Sequence, residues 1–105
     1  MNQGWIKVPR KIYNDKGFWS NEGLVRVYLY LLFNAKVEPE TVHYLGQAIE
    51  LKANELITGR KIIAQQCGLS ESTVERNLKW LENGQMIGQK TDKRFRLISI
   101  LYEGS

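Results

Sequence analysis

Cysteine occurs once in the 105 residues, as Cys67, and histidine once, as His43. One thiol excludes an internal disulfide. One thiol with one imidazole also falls short of the ligand count of an ordinary zinc site, so no metal or cofactor is expected. Long apolar runs are missing too. The longest, Val27 to Phe33, is far short of the ~20 residues that span a bilayer, so no membrane partner is expected. The N-terminus carries Trp5 and scattered Lys and Arg in place of a secretory signal's apolar core, and a reducing, cytoplasmic setting is the expectation. There are no internal repeats or low-complexity tracts. Paired acids at useful spacing and a Gly-rich phosphate loop are also lacking, so no catalytic residue is assigned and an enzyme is not expected. His43 has no helpfully spaced acid or thiol and reads as a plain surface residue.

What is present suits one domain over residues 1–105. Apolar content is 43% and charged content 25%, the ordinary range for a chain that buries a single modest core. Net charge is +4, unevenly spread: +3 over residues 1–20, −2 over 21–58, +1 over 59–84 and +2 over 85–105. Basic residues gathered at both ends can form one positive face in the folded chain; chance clustering on a solvated surface is the plainer reading.

The organising stretch is Arg60 to Lys79. Ala64, Gly68 and Val74 hold the spacing of a helix-turn-helix. Ala64 is small enough to let a second helix cross closely. Gly68 can take the positive φ that ends the first helix. Ser70 suits the N-cap of the second helix, and Val74 turns inward. With Val74 at zero and 100° per residue, Asn77, Leu78 and Leu81 point toward the core, while Ser72, Arg76, Lys79 and Asn83 point away.

Upstream, Gly4 to Val8 reads as extended and Pro9 to Tyr13 as a short helix, with turn chemistry at Asn14 to Gly17. The apolar residues Trp5, Ile6, Val8, Ile12, Phe18 and Trp19 make this an arm, residues 1–19, packed on the body. Ser20 is expected to cap a helix over Asn21 to Asn34. Gly23 is an unfavourable residue inside it. That helix is apolar nearly all round, which fits a central core element or one that also buries a face, including Tyr30, against another chain. Lys36 to Gly46 reads as a loop. Ala48 to Leu51 and Leu56 to Thr58 read as extended, forming either a hairpin around Lys52 to Glu55 or one strand and an irregular lead into the next helix. The helix-turn-helix occupies 60–83, with Gly84 as its stop. Residues 85–102 read as a hairpin: Met86 to Lys90, a tip at Thr91 to Lys93, and Arg94 to Tyr102.

Helix, strand, helix-turn-helix and hairpin in that order define an α+β fold. It is a winged helix-turn-helix, mainly helical with a C-terminal β-hairpin wing. Gly68 to Val74 followed by Leu78 to Ile87 closely resembles the recognition helix and wing lead-in of that superfamily. Three further segments extend the likeness: Gly4 to Ile12, Leu31 to Ala35, and Gly46 to Leu51 leading to Glu55 to Arg60. Together they resemble the N-terminal domains of phage and prophage replisome-organiser and DnaD-like replication initiation proteins. The resemblance implies binding of origin duplex DNA, self-association, or both, with replisome proteins as further partners and a homo-oligomer as one arrangement.

Candidate DNA contacts are Arg60, Lys61, Ser70, Ser72, Thr73, Arg76, Lys79, Lys93, Arg94 and Arg96. Arg76 suits a bidentate contact to guanine, and the wing basics suit the backbone or minor groove. Glu71 and Glu75 beside this surface repel phosphate, although a carboxylate can accept from the cytosine amino group; Glu75 is also placed to pair with Lys79. Trp5, Tyr30 and Trp80 are candidate protein-interface residues. Trp80 is expected either to anchor an interface or, the favoured reading, to lie under the N-terminal arm. The rival functions are a protein-interaction or self-association module and a transcriptional regulator.

Overall fold

The structure, a computed structural model, describes residues 8, 12, 14–92 and 95–102. Among these residues four helices and five strands follow one another as α1 (Lys16–Trp19), α2 (Glu22–Asn34), β1 (Glu40–Tyr44), β2 (Gln47–Leu51), β3 (Glu55–Thr58), α3 (Arg60–Cys67), α4 (Glu71–Asn83), β4 (Ile87–Thr91) and β5 (Arg96–Ile100). The strands form an antiparallel β1–β2 ribbon and a three-stranded antiparallel sheet ordered β3–β5–β4. This is the winged-helix-like α+β architecture expected from the element order.

The N-terminal half departs from the expected boundaries. Asp15 belongs to no free turn: its carboxylate accepts from the Phe18 N–H at 3.0 Å and caps α1. Ser20 closes α1, and Asn21 caps α2 instead, its side-chain oxygen taking the Leu24 N–H at 3.0 Å. Both Ser20 and Asn21 are good capping residues, so two adjacent helix ends competed for one sequence signal. The expected helix over Pro9 to Tyr13 and the extended Gly4 to Val8 fall largely outside the described residues. Of the arm's apolar groups that are described, Ile12 and Phe18 are buried, whereas Val8 and Trp19 are about half exposed.

The stretch read as a loop, residues 36–46, contains β1. Val42 and Tyr44 alternate with exposed Thr41 and His43, and the strand turns back through Leu45 and Gly46, with φ of 51° and 75°. Two consecutive positive φ values are what a tight two-residue hairpin requires. Gly supplies one without strain, while Leu45 made the turn hard to see. β2 therefore pairs with β1, and β3 with β5, so the 48–51 and 56–58 runs do not form a hairpin with each other. Asn54, a residue type that tolerates the left-handed region, takes a φ of 72°. Lys36 closes the base of the ribbon: its N–H donates to the Glu55 carbonyl at 2.8 Å, and its carbonyl accepts from Asn54 at 2.7 Å.

The core gathers under α2. Val27, Tyr28 and Leu31 meet Ile63 and Ala64 of α3, Val74, Leu78 and Leu81 of α4, and Leu56, Ile98 and Ile100 of the sheet. Each fully buried aliphatic of this kind contributes about 1.5–3 kcal/mol relative to exposure. Gly23 lies inside α2 where the helix meets α4 and the turn before it: a Cβ there would sit 3.4 Å from both Asn77 Nδ2 and a Leu69 methyl, in contact with both. Tyr30 donates or accepts at 3.0 Å with Thr58, tying α2 to β3. Burial pushes the Tyr28 phenol well above its ordinary range, with a smaller contribution from Tyr102, so it stays neutral.

At the end of α4 the stop is made one residue later than Gly84. Gly84 has φ of −81°, and Gln85 takes the left-handed conformation at 60°. The Gln85 N–H donates to Glu82 and the Met86 N–H to Leu81, the paired bonds of a Schellman ending. Met86 is buried at this corner, and the wing strand starts at Ile87.

Candidate nucleic-acid interface

α3 ends at Gly68 with φ of 69°, and Leu69 N–H donates back to the Ala64 carbonyl at 3.0 Å. The chain then turns into α4, whose N-cap is Ser70, as the sequence indicates; its hydroxyl accepts from the Thr73 N–H at 3.2 Å. The same hydroxyl donates to Thr73 Oγ1 at 2.9 Å and lies 3.3 Å from Ser72 Oγ. Arg76 donates to Thr73 Oγ1 at 3.3 Å. Three hydroxyls and one guanidinium thus form a linked set over the first turns of the helix.

The helix is sorted as its period dictates. Val74, Asn77, Leu78 and Leu81 are buried, and Ser72, Arg76, Lys79 and Asn83 are exposed. Lys61, in the first turn of α3, is exposed as well. These residues stand where sequence reasoning places them.

Two of the expected DNA contacts, Arg60 and Arg96, are held in ion pairs by acids of α4. Arg60 spans two acids of α4, with Nε 3.1 Å from Glu71 Oε1 and Nη1 3.9 Å from Glu75 Oε1. Arg96 reaches the same Glu75 oxygen at 3.0 Å, its side chain only 15% exposed. Arg96 shares the parity of Ile98 and Ile100 on β5, so the pleat turns it inward under α4 rather than out along the wing. Glu75 accordingly bridges α3 and the wing; the expected pairing with Lys79 is not among the ion pairs of the described residues. Lys93 and Arg94 lie outside the described residues. Lys90, exposed near the tip of β4, is a wing basic that the expected contacts did not include.

The candidate interface aromatics divide similarly. Trp80 is 37% exposed, with Phe18 at a centroid distance of 6.5 Å and α1 alongside at Gly17. Cover therefore comes from residues 17–18 of the arm; Trp5 lies outside the described residues. Tyr30 is half-buried, hydrogen-bonded to Thr58, and lines a shallow groove beside α2. The exposed apolar residues of α2 are instead Leu29, at 41%, and Phe33, at 66%, about 200–240° round the helix from Val27. They flank a shallow groove against Gln66 and Cys67 of α3. Cys67 sits at the core edge, its thiol donating to the Arg26 carbonyl at 3.7 Å. Burial pushes that thiol's pKa up, and the charge of Arg26 partly offsets the rise.

Among the described residues no group of three or more His, Cys, Asp or Glu is placed to hold a metal ion, and no helix is long and apolar enough to cross a membrane.

The α3–turn–α4 unit backed by the β3–β5–β4 sheet defines a winged-helix-like helix-turn-helix protein. The chain belongs to the RepL family, described as Firmicute plasmid replication proteins, whose model matches residues 21–101, from the N-cap of α2 to just beyond β5. No curated protein and no solved structure matches the chain. The family supports the replication setting of the resemblance drawn from sequence. It is a plasmid family, and it does not extend that support to the replisome-organiser or DnaD-like assignment.

Proposed function

We propose that residues 1–105 act as one winged-helix unit that binds duplex DNA at a plasmid replication origin, in the cytoplasm, and helps to initiate replication there. The observation that carries this reading is the exposed side of α4. Ser72, Arg76, Lys79 and Asn83 project together, and the neighbouring acids are occupied by Arg60 and Arg96. Arg76 reads guanine, Lys61 and Lys79 hold phosphates, and the Ser70–Ser72–Thr73 hydroxyls lie near the helix N-terminus, where phosphate is favoured. Lys90, with Lys93 and Arg94 of the wing, tracks the backbone. The likeness to phage replisome-organiser and DnaD-like domains is read as one of role, with replisome proteins as further partners.

Anisotropy titrations of labelled duplex at stepped salt test the proposal. With about four phosphates engaged, affinity is expected to fall roughly a hundredfold between 50 and 200 mM salt. Absence of binding to any origin-derived duplex at the lower salt would sink it.

A second reading, self-association, is favoured by Phe33 and Leu29, which leave an apolar stripe open on α2. Under it the chain is a dimer by light scattering at high concentration, and Phe33→Ser makes it a monomer with little change in melting temperature. A wild-type monomer at all concentrations would dispose of this reading.

A further inference from the structure

Carboxylates on a DNA-reading helix work against binding, because any duplex that docks brings phosphates toward them. α4 nevertheless carries Glu71 in its first turn and Glu75 one turn later, with side chains 47% and 40% exposed. Neither faces solvent alone. Glu71 holds the Arg60 guanidinium at 3.1 Å, and Glu75 holds Arg96 at 3.0 Å and Arg60 more loosely at 3.9 Å.

The two acids are not equivalent. Glu75 has the nearly buried Arg96 as its partner, a contact that docks β5 onto α4. Among the described residues, the partner of Glu71 is Arg60, which is itself half exposed. It lies in the first turn of α4, the part of a recognition helix that reaches base edges. An arginine engaged by a carboxylate is withheld from phosphate. A carboxylate near base edges is satisfied by one kind of donor in the major groove, the amino group, which cytosine presents without the adjoining N7 acceptor of adenine.

We propose that Glu71 is a specificity determinant of the DNA-binding surface: it keeps Arg60 from indiscriminate phosphate contact and accepts a hydrogen bond from the amino group of a cytosine in the cognate site. The inference rests on the duplex-binding reading above. Arg60 orients the carboxylate, and the pair taxes every duplex that lacks the donor.

The test selects binding sites from a random duplex pool with the wild-type chain, Glu71→Gln and Glu71→Ala, each first shown to be folded by thermal melting. Wild type is expected to enrich cytosine at one position by roughly fivefold or more, the lower end of a base-specific contact. Glu71→Gln is expected to move the preference at that position to adenine, since a carboxamide pairs with the adenine amino group and N7. Glu71→Ala is expected to lose the preference there and bind mixed-sequence duplex about threefold or more tightly. Its salt slope should be steeper by about one as Arg60 becomes free for phosphate. The same selected sites from all three proteins, or weaker mixed-sequence binding by Glu71→Ala, would overturn the assignment while leaving duplex binding intact. If wild type binds no duplex, both readings fall together.

Discussion

Phe18→Ala is expected to remove about 3–5 kcal/mol of folding stability, the range for deleting a fully buried aromatic ring. Phe18 is 1% exposed although it belongs to a helix of four residues. Its ring stands edge-on to Tyr28 at 5.7 Å and to Trp19 at 5.3 Å, and tilted to Trp80 at 6.5 Å. It is therefore the plug through which α1 joins α2 and α4, and its removal leaves a cavity beside the Tyr28 ring. Against a total stability of roughly 5–15 kcal/mol for a domain, the loss is a large fraction of the whole. Denaturant titration followed by tryptophan emission and by circular dichroism measures it. The midpoint should fall with the slope unchanged, and Trp19→Ala, at a half-exposed position, should do far less. A loss under about 1 kcal/mol would show that α1 is not part of the cooperative unit.

Arg76→Ala is expected to lower affinity for the cognate duplex by about 5- to 150-fold, equivalent to 1–3 kcal/mol, and to relax selectivity at one base pair. Arg76 is exposed, and among the described residues its hydrogen bond is to Thr73 Oγ1 at 3.3 Å. Folding should thus be unaffected, separating this variant from any substitution at Arg96, whose guanidinium holds the wing to α4. Lys79→Ala should weaken all duplexes to a similar and smaller degree, as a lost phosphate contact does. Full site selectivity in Arg76→Ala would rule out base reading by this residue.

The helix-turn-helix was legible because each of its devices is local. Gly68 ends a helix by its own φ, Ser70 caps the next within three residues, and Val74, Leu78 and Leu81 keep a single period. The β1–β2 ribbon was hidden because its turn uses Leu45, a residue poorly suited to positive φ, and because two exposed strands offer little apolar alternation. Strand partnership was hidden for another reason. Whether Leu56 pairs with the 48–51 run or with Ile98 is decided by tertiary packing, and neither segment carries that information alone. In the candidate site, exposure followed from helical period, so the outward placement of Arg76 and Lys79 was legible. Ion pairing did not follow: Glu75 meets Arg96 across 21 residues, while the pair visible by sequence spacing, Glu75 with Lys79, is not made.

The strand order β3–β5–β4 also sets a timetable. β5 is synthesised after both of its neighbours yet lies between them in the sheet, with Glu55 paired to Ser99 on one side and Ile87 to Ile100 on the other. As the nascent chain emerges, β3 and β4 have no hydrogen-bonding neighbour in the sheet until Arg96 to Ile100 arrive. The helix-turn-helix between them can coil locally, but the floor on which it rests is laid last. A ribosome that stops before Arg96 releases a chain with recognition residues and no rigid frame for them, and two open strand edges exposed to aggregation.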